Sequence, residues 1–183
     1  MKKFGVKHIV ATGIGAALFF VLGRFVAIPS GVPDTNISIQ YGLLAFIATV
    51  FGPIAGLLTG LIGHFFIDFS FGWGVWWSWV VTSAFVGCVI GLLTVKLNIE
   101  EGEFGVKGII QFNIAQVIAH LVGWGALAPV LDILIYAEPA NKVFVQGLVS
   151  AGINIITTAV VGTLLCVAYS AAIPKKGSLK EEE

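Results

Sequence analysis

The sequence predicts an all-α integral membrane protein, a bundle of six transmembrane helices with both termini in the cytoplasm. Three observations lead there. The chain of 183 residues is 57% hydrophobic and 11% charged, with a mean hydropathy of +0.98. A soluble domain of that composition would expose far more apolar surface than water tolerates. Its apolar residues come in long continuous runs rather than the alternating segments of about ten residues that build a membrane β-barrel. Helices, which satisfy their own backbone hydrogen bonds, are therefore the spanning elements. Finally, lysine and arginine are unevenly shared among the connections, which sets an orientation. Net charge is zero, so there is no basic footprint for nucleic acid.

The six apolar segments, all in one domain over 1–183, run roughly over 8–28, 37–51, 53–68, 76–95, 108–128 and 143–172. Segment one follows MKKFGVKHIV, a basic start that imitates a secretory signal. The apolar run reaches Ile28 without a small-residue cleavage site, which favours a retained helix. Segments two and three meet at Gly52-Pro53 and are each about 15 residues, short of the ~20 that cross a hydrocarbon core. They read as short or tilted spans, or together as a re-entrant hairpin; their near absence of charge favours spans. Segments four, five and six are long enough to cross. With six spans, Lys2, Lys3, Lys7, Lys96, Lys107, Lys175, Lys176 and Lys180 share one side, and Arg24 and Lys142 the other. The lysine-rich side is cytoplasmic. A four-span reading leaves every charge on the same side, so charge fixes orientation and not the count.

The cytoplasmic pieces, 95–108 and 174–183, are too short to hold a nucleotide-binding domain, and no Gly-rich lysine loop for phosphate occurs. ATP is not hydrolysed by this chain. Cys88 and Cys166 both lie inside apolar runs and read as small buried hydrophobes, with no metal-ligand or disulfide spacing. The external pieces, 29–40, 69–79 and 129–142, are richer in polar and aromatic residues.

Polar residues within the spans fall into stripes. Asn113, Gln116, His120 and Trp124 share one helical face, as do Gln146, Ser150, Asn154 and Thr157 or Thr158. His64 and Asp68 are one turn apart, Arg24 is near the outer end of segment one, and Gln40 and Tyr41 open segment two. Such groups often serve as interhelical glue, and Arg24 and Asp68 also suit snorkelling at an interface. Ionisable groups at membrane depth lean toward function. No third ligand accompanies His64 and His120, so no metal site is expected. The shared external-half location points to a substrate pocket formed by Arg24, Gln40, His64, Asp68, Trp77, Gln116, His120, Trp124 and Asn154. Trp73, Trp76, Trp77 and Trp79 lie within seven residues, beside Gly72 and Gly74. An interfacial aromatic belt accounts for about two of them; the indole faces of others suit stacking on a planar ligand.

Small residues make a second pattern: Ala11 with Gly15, Gly13 with Ala17, and Gly52, Gly56 and Gly60. Four-residue spacing of small side chains lets another helix approach closely in lipid, either within this chain or on a partner.

The stretches GIGAALFFVLGRFVAIPSGVPDTNISIQY, FGPIAGLLTGLIGHFFIDF and WWSWV resemble a substrate-binding S component of energy-coupling factor (ECF) transporters. More narrowly, they resemble the subfamily named for riboflavin transport, some of whose members are assigned to hydroxymethylpyrimidine or pyridoxine. The resemblance covers roughly residues 5–172. It implies a six-helix subunit of the cell (plasma) membrane that captures a vitamin from outside. It also implies separate partner chains, a transmembrane coupling protein and two cytoplasmic ATP-binding subunits, with no cofactor on this chain and ATP used by the partners. In the family an AxxxA-like motif on the first helix meets the coupling protein. The matching positions here, Ala11, Gly13, Gly15 and Ala17, are glycine-substituted and keep their smallness. The family's first external loop is a lid; here it is PSGVPDTN, with Gly31, Pro33 and Asn36. The implied cycle topples the S component in the membrane, driven by ATP on the partners.

Two readings compete. A stand-alone ion-coupled secondary transporter would want more spans, an inverted repeat or an intramembrane acid; Asp68 and Asp132 are candidates but sit near the outer surface. A membrane enzyme on His64, His120 and Asp68 lacks any spacing that fixes a nucleophile and base. A single pyrimidine or pyridine ring and a three-ring flavin both call for aromatic walls with a few polar groups. The reading leans to the smaller ring.

Overall fold

The computed structural model describes residues 5–33, 35–72 and 74–173. Lys2, Lys3, Trp73, Lys175, Lys176 and Lys180 lie outside the described residues. Five helices are long and apolar enough to cross a membrane: Val6–Phe25 (α1), Pro53–Phe71 (α3), Trp77–Thr94 (α4), the 31-residue Val106–Tyr136 and the 33-residue Ala140–Ala172. The last two each contain a π-helical turn. Val106–Val122 (α5) passes through Gly123–Leu127 into Ala128–Tyr136 (α6), and Ala140–Thr157 (α7) passes through Thr158–Gly162 into Thr163–Ala172 (α8). Between α1 and α3 sits the short helix Gln40–Phe51 (α2).

At 12 residues, α2 is about 18 Å long, well short of a ~30 Å hydrocarbon core. It is buried on nearly every side, including Tyr41, Leu44, Ala45, Ala48 and Val50. It packs against α1, α3, α4 and the second π-turn, so its sides are covered by protein rather than lipid. The expected start at 37 moves to Gln40 because Asn36–Ile37 (β2) pairs antiparallel with Ile28–Pro29 (β1), in the register Ile28–Ile37 and Pro29–Asn36.

The expected fifth span ended at 128, and 129–142 read as an external connection. The helix instead continues to Tyr136. A π-turn immediately before Pro129 absorbs the ring and the missing N–H. The true connection is Ala137–Pro139, where Ala137 takes a left-handed φ of 53°.

Lys7 pairs with Glu100, which fastens the start of α1 to the turn of 3-10 helix at Ile99–Glu101, and α8 packs against the same turn. The helix ends nearest both termini thus share one end of the bundle. The β1–β2 hairpin and the α3–α4 and α6–α7 connections share the other, called here the hairpin end.

The tightest packing joins α3 to α4. A Cβ on Gly56 would lie 2.5 Å from the carbonyl oxygen of Gly87, and one on Gly87 2.3 Å from that of Gly56. One turn on, a Cβ on Gly60 would meet the Ser83 carbonyl oxygen at 2.4 Å. The backbones therefore touch. Elsewhere the outer faces carry exposed Ile9, Ile14, Leu18, Phe66, Ile118, Leu134 and Ile156, as lipid-facing surfaces require.

Gly87→Val should destabilise the bundle by at least about 1–3 kcal/mol through overpacking against backbone, read as a lower thermal midpoint in detergent. Gly13→Val, where a Cβ meets nothing within 4 Å, should leave the midpoint in place; equal midpoints for the two variants would contradict the packing described.

Candidate ligand-binding site

A cavity opens inside the hairpin end, in two lobes that share His64, Asp68 and Trp79. One lobe, about 220 Å³, lies toward Trp76, Asp132, Val143 and Gln146. The other, about 130 Å³, lies beneath the hairpin, between Gln40, Tyr41, Trp124, Ser150 and Asn154.

Each wall follows from local helix geometry. On α3, His64 and Asp68 stand one turn apart on one face. His64 Nδ1 is 2.5 Å from Ser83 Oγ, which is also 2.8 Å from Tyr41 Oη. His64 Nε2 is 3.5 Å from Asp68 Oδ1, and Asp68 Oδ2 accepts the Trp76 backbone N–H at 2.9 Å. This chain has the order of a hydrolytic triad, but Ser83 is fully buried and lines neither lobe. It braces α2, α3 and α4 rather than presenting a nucleophile.

Trp76 immediately precedes α4 and Trp79 lies in its first turn, three positions on. Both donate their indole N–H to one carboxylate. Trp76 Nε1 is 2.7 Å from Asp132 Oδ1, Trp79 Nε1 is 2.7 Å from Asp132 Oδ2, and Ser78 Oγ donates to Oδ1 as well. Asp132 is only 2% exposed, so α6 pins the aromatic wall from behind. The Trp79 ring stacks on Trp124 at 5.4 Å between centroids and 24° between planes. Trp124 donates to His120 Nδ1 at 3.0 Å. An indole N–H only donates, so Nδ1 is the accepting nitrogen, and Nε2 faces Thr158 Oγ1 at 3.2 Å. That bond ties the floor of the cavity to the second π-turn.

The hairpin closes the top. Ser30 Oγ donates to the Thr35 carbonyl at 2.7 Å, and Gln146 Nε2 of α7 donates to the Pro33 carbonyl at 3.0 Å. Ser38 Oγ donates to Gln40 Oε1 at 3.0 Å.

A sequence profile of the family described as "ECF-type riboflavin transporter, S component" matches residues 3–171. The chain is 53% identical over its full length, and the relative's, to UPF0397 protein SAS2570 of Staphylococcus aureus strain MSSA476. It is 52% identical, again with full coverage of both, to a UPF0397 protein of strain Newman. The chain belongs to the ECF-type riboflavin transporter S component family. An S component is the membrane-embedded, substrate-binding subunit of an ECF transporter and is not an enzyme.

Within this S component the residues singled out by sequence separate into groups. Gln40, His64, Asp68, Trp124 and Asn154 line the cavity. His120 lies behind Trp124, fully buried, and Gln116 sits one turn deeper, bonded to Asn113 and the Ile155 carbonyl. Arg24 lays its guanidinium over the ring of Phe71, 4.2 Å from its centroid, and lines neither lobe. The structure does not bring Trp77 to the cavity. It is 48% exposed, packs on Phe65, and lines neither lobe. The cavity's tryptophans on this segment are Trp76 and Trp79, whose i,i+3 spacing was the available signal. Asp132, named from sequence only as a candidate acid near the outer surface, was left out of the pocket because 129–142 read as an external connection.

Of the lid residues, Asn36 borders the lower lobe, Pro33 supplies the carbonyl that Gln146 holds, and Gly31 takes the left-handed φ of 88° that the turn needs. Of the docking residues, Gly15 is buried, with a Cβ position 3.2 Å from Ile47 and Thr59 side-chain atoms. Ala11 is half-buried, while Gly13 and Ala17 are exposed.

Asp132→Ala should strand two indole N–H donors in a buried site at about 1–3 kcal/mol each. The thermal midpoint should fall and tryptophan emission should shift to the red. An unchanged midpoint and spectrum would show that the carboxylate does not hold the wall.

Proposed function

We propose that this S component captures a small heteroaromatic, water-soluble vitamin or vitamin precursor of the hydroxymethylpyrimidine or pyridoxine type from outside the cell. It delivers that ligand through a separate transmembrane coupling protein and two ATP-binding subunits. The observation that carries the reading is the cavity beneath the hairpin, walled by indoles and edged by a few fixed polar groups. Such a mixture orients a flat polar ring. Taken together the two lobes lie near the ~300 Å³ lower end of small-molecule pocket volumes, which favours one substituted ring over three fused ones. Riboflavin is the second reading, favoured by the description of the matched family.

In this reading Gln40, His64, Asp68, Trp124 and Asn154 contact the ligand, with Trp76 and Trp79 beside them. His120 and Gln116 hold the floor, and Arg24 fixes Phe71 at the rim. The hairpin carrying Gly31, Pro33 and Asn36 is the lid, latched by Gln146. Gly13 and Ala17, on the outer face of α1, form the contact with the coupling protein, while Gly15 packs internally. The protein resides in the plasma membrane with its lysine-rich end in the cytoplasm, and ATP is consumed only by the partners.

Mass spectrometry of ligand released from the chain purified in mild detergent should identify a single-ring heteroaromatic compound. A flavin there would establish the second reading. Trp79→Ala should weaken binding of the released compound by about tenfold, or ~1.4 kcal/mol, and Trp77→Ala by less than about twofold. Gly13→Leu should reduce recovery of coupling and ATP-binding subunits, identified by peptide mass, without loss of ligand binding. Full recovery would remove the Gly13–Ala17 face from the interface.

A further inference from the structure

Among the described residues, carboxylates outnumber cations around the cavity. Asp68, Asp132 and Glu138 line the larger lobe, where the basic groups are His64 and Lys142. Lys142 Nζ lies 2.9 Å from Glu138 Oε2, an ion pair at the mouth. His64 is within 3.5 Å of Asp68, and even a protonated His64 balances that carboxylate alone. Arg24 spends its charge on the Phe71 ring and reaches neither lobe. Among the described residues, the hydrogen bonds to Asp132 come from three neutral donors, two indoles and a hydroxyl.

The donors on Asp132 also change the rings that carry them. An N–H shared with a carboxylate is polarised toward the anion, leaving the indole π-face richer in electrons. Trp76 and Trp79 both donate this way and both line the larger lobe. Electron-rich indole faces near that carboxylate favour a positive charge on the ligand, and an anion there would meet like charge in a low-dielectric site.

We propose that the cavity takes its ligand as an organic cation, a planar nitrogen heterocycle bearing positive charge, seated on the indoles of Trp76 and Trp79 with Asp68 and Asp132 as counter-charges. This rests on the proposed function in that it takes the same cavity as the ligand site, and it narrows the chemical class. The heterocycle's charged nitrogen meets the Asp68 side, where the two lobes join, and its ring lies toward the tryptophans. A neutral ring of the same shape keeps the stacking and loses the charge interaction.

The test compares three probes of nearly one size on the full chain in lipid nanodiscs by titration calorimetry: 3-hydroxymethyl-1-methylpyridinium, 3-methylbenzyl alcohol and 3-methylbenzoate. The cation should bind at least about tenfold tighter than the neutral alcohol, and the benzoate more weakly than either. Asp68→Asn and Asp132→Asn should each narrow the cation-to-neutral ratio to within about threefold, a ratio in which any loss of affinity common to both probes cancels. Equal affinity for cation and alcohol, with both lost in Trp79→Ala, would overturn the charge assignment and leave the cavity as the ligand site. A ratio unchanged in both carboxylate variants would overturn it too. If none of the three probes binds, the cavity is not the ligand site and both readings fall.

Discussion

The contact on which the rest depends is that between the backbones of α3 and α4. Between helices in lipid there is no hydrophobic drive, because the tails are as apolar as leucine; close van der Waals approach has to supply the association. Gly56 and Gly87 meet carbonyl to Cα in both directions, and Gly60 rests on Ser83. His64 is one turn beyond Gly60. The same approach that packs the helices therefore sets His64 Nδ1 against Ser83 Oγ and, through Ser83, against Tyr41 of the central helix. A side chain at either glycine would push the helices apart and break a three-helix hydrogen-bond chain at the cavity.

A second constraint comes from the π-turns. Each adds a residue to one helical turn and so rotates all that follows. The turn at Gly123–Leu127 carries Trp124 on the cavity floor and aims α6 so that Asp132 reaches the tryptophans at the start of α4. The turn at Thr158–Gly162 supplies Thr158 to His120, whose other nitrogen holds Trp124. Both irregular turns thus meet at one buried imidazole. The aromatic wall is held from two sides, by a carboxylate at its outer edge and by that imidazole at its base.

What was legible in the sequence follows from what periodicity encodes. Long apolar runs located α1, α3 and α4 to within a few residues, since length and hydropathy decide them. The face of α5 was legible too: Gln116, His120 and Trp124 do share one side. Depth was not. Gln116 lies eight residues below Trp124, about 12 Å along the axis, so a stripe that reads as one wall runs from the cavity into the packed interior. Around Trp77 the opposite problem arises. Four tryptophans in a cluster fix a location, but which of them face inward depends on where helix α4 starts, and Trp76 at its cap sets that phase. The length of α6 was illegible because Pro129 breaks an ordinary helix, and the π-turn that accommodates it leaves no hydropathy signature.

The proposed lid and the proposed docking face are mechanically one piece. α1 ends at Phe25 and the hairpin begins at Ile28, so two residues join them. Near that end, a Cβ on Gly23 would overlap Gln40 Oε1 at 2.0 Å, which shows how closely α1 is seated on a cavity residue. On the outer side, Gly13 and Ala17 are open, flanked by exposed Ile14, Leu18 and Val21. From Ala17 to Ile28 is about 16 Å of nearly continuous helix. A partner that grips the small-residue face and tilts α1 moves the Gly23–Gln40 contact and the root of the hairpin together. The sequence carries no Gly-rich lysine loop for phosphate, so in the proposed cycle the tilt is driven from outside this chain. In that proposed cycle, force applied along α1 would open the Gln146–Pro33 contact through one rigid helix rather than through a relay of small side-chain shifts.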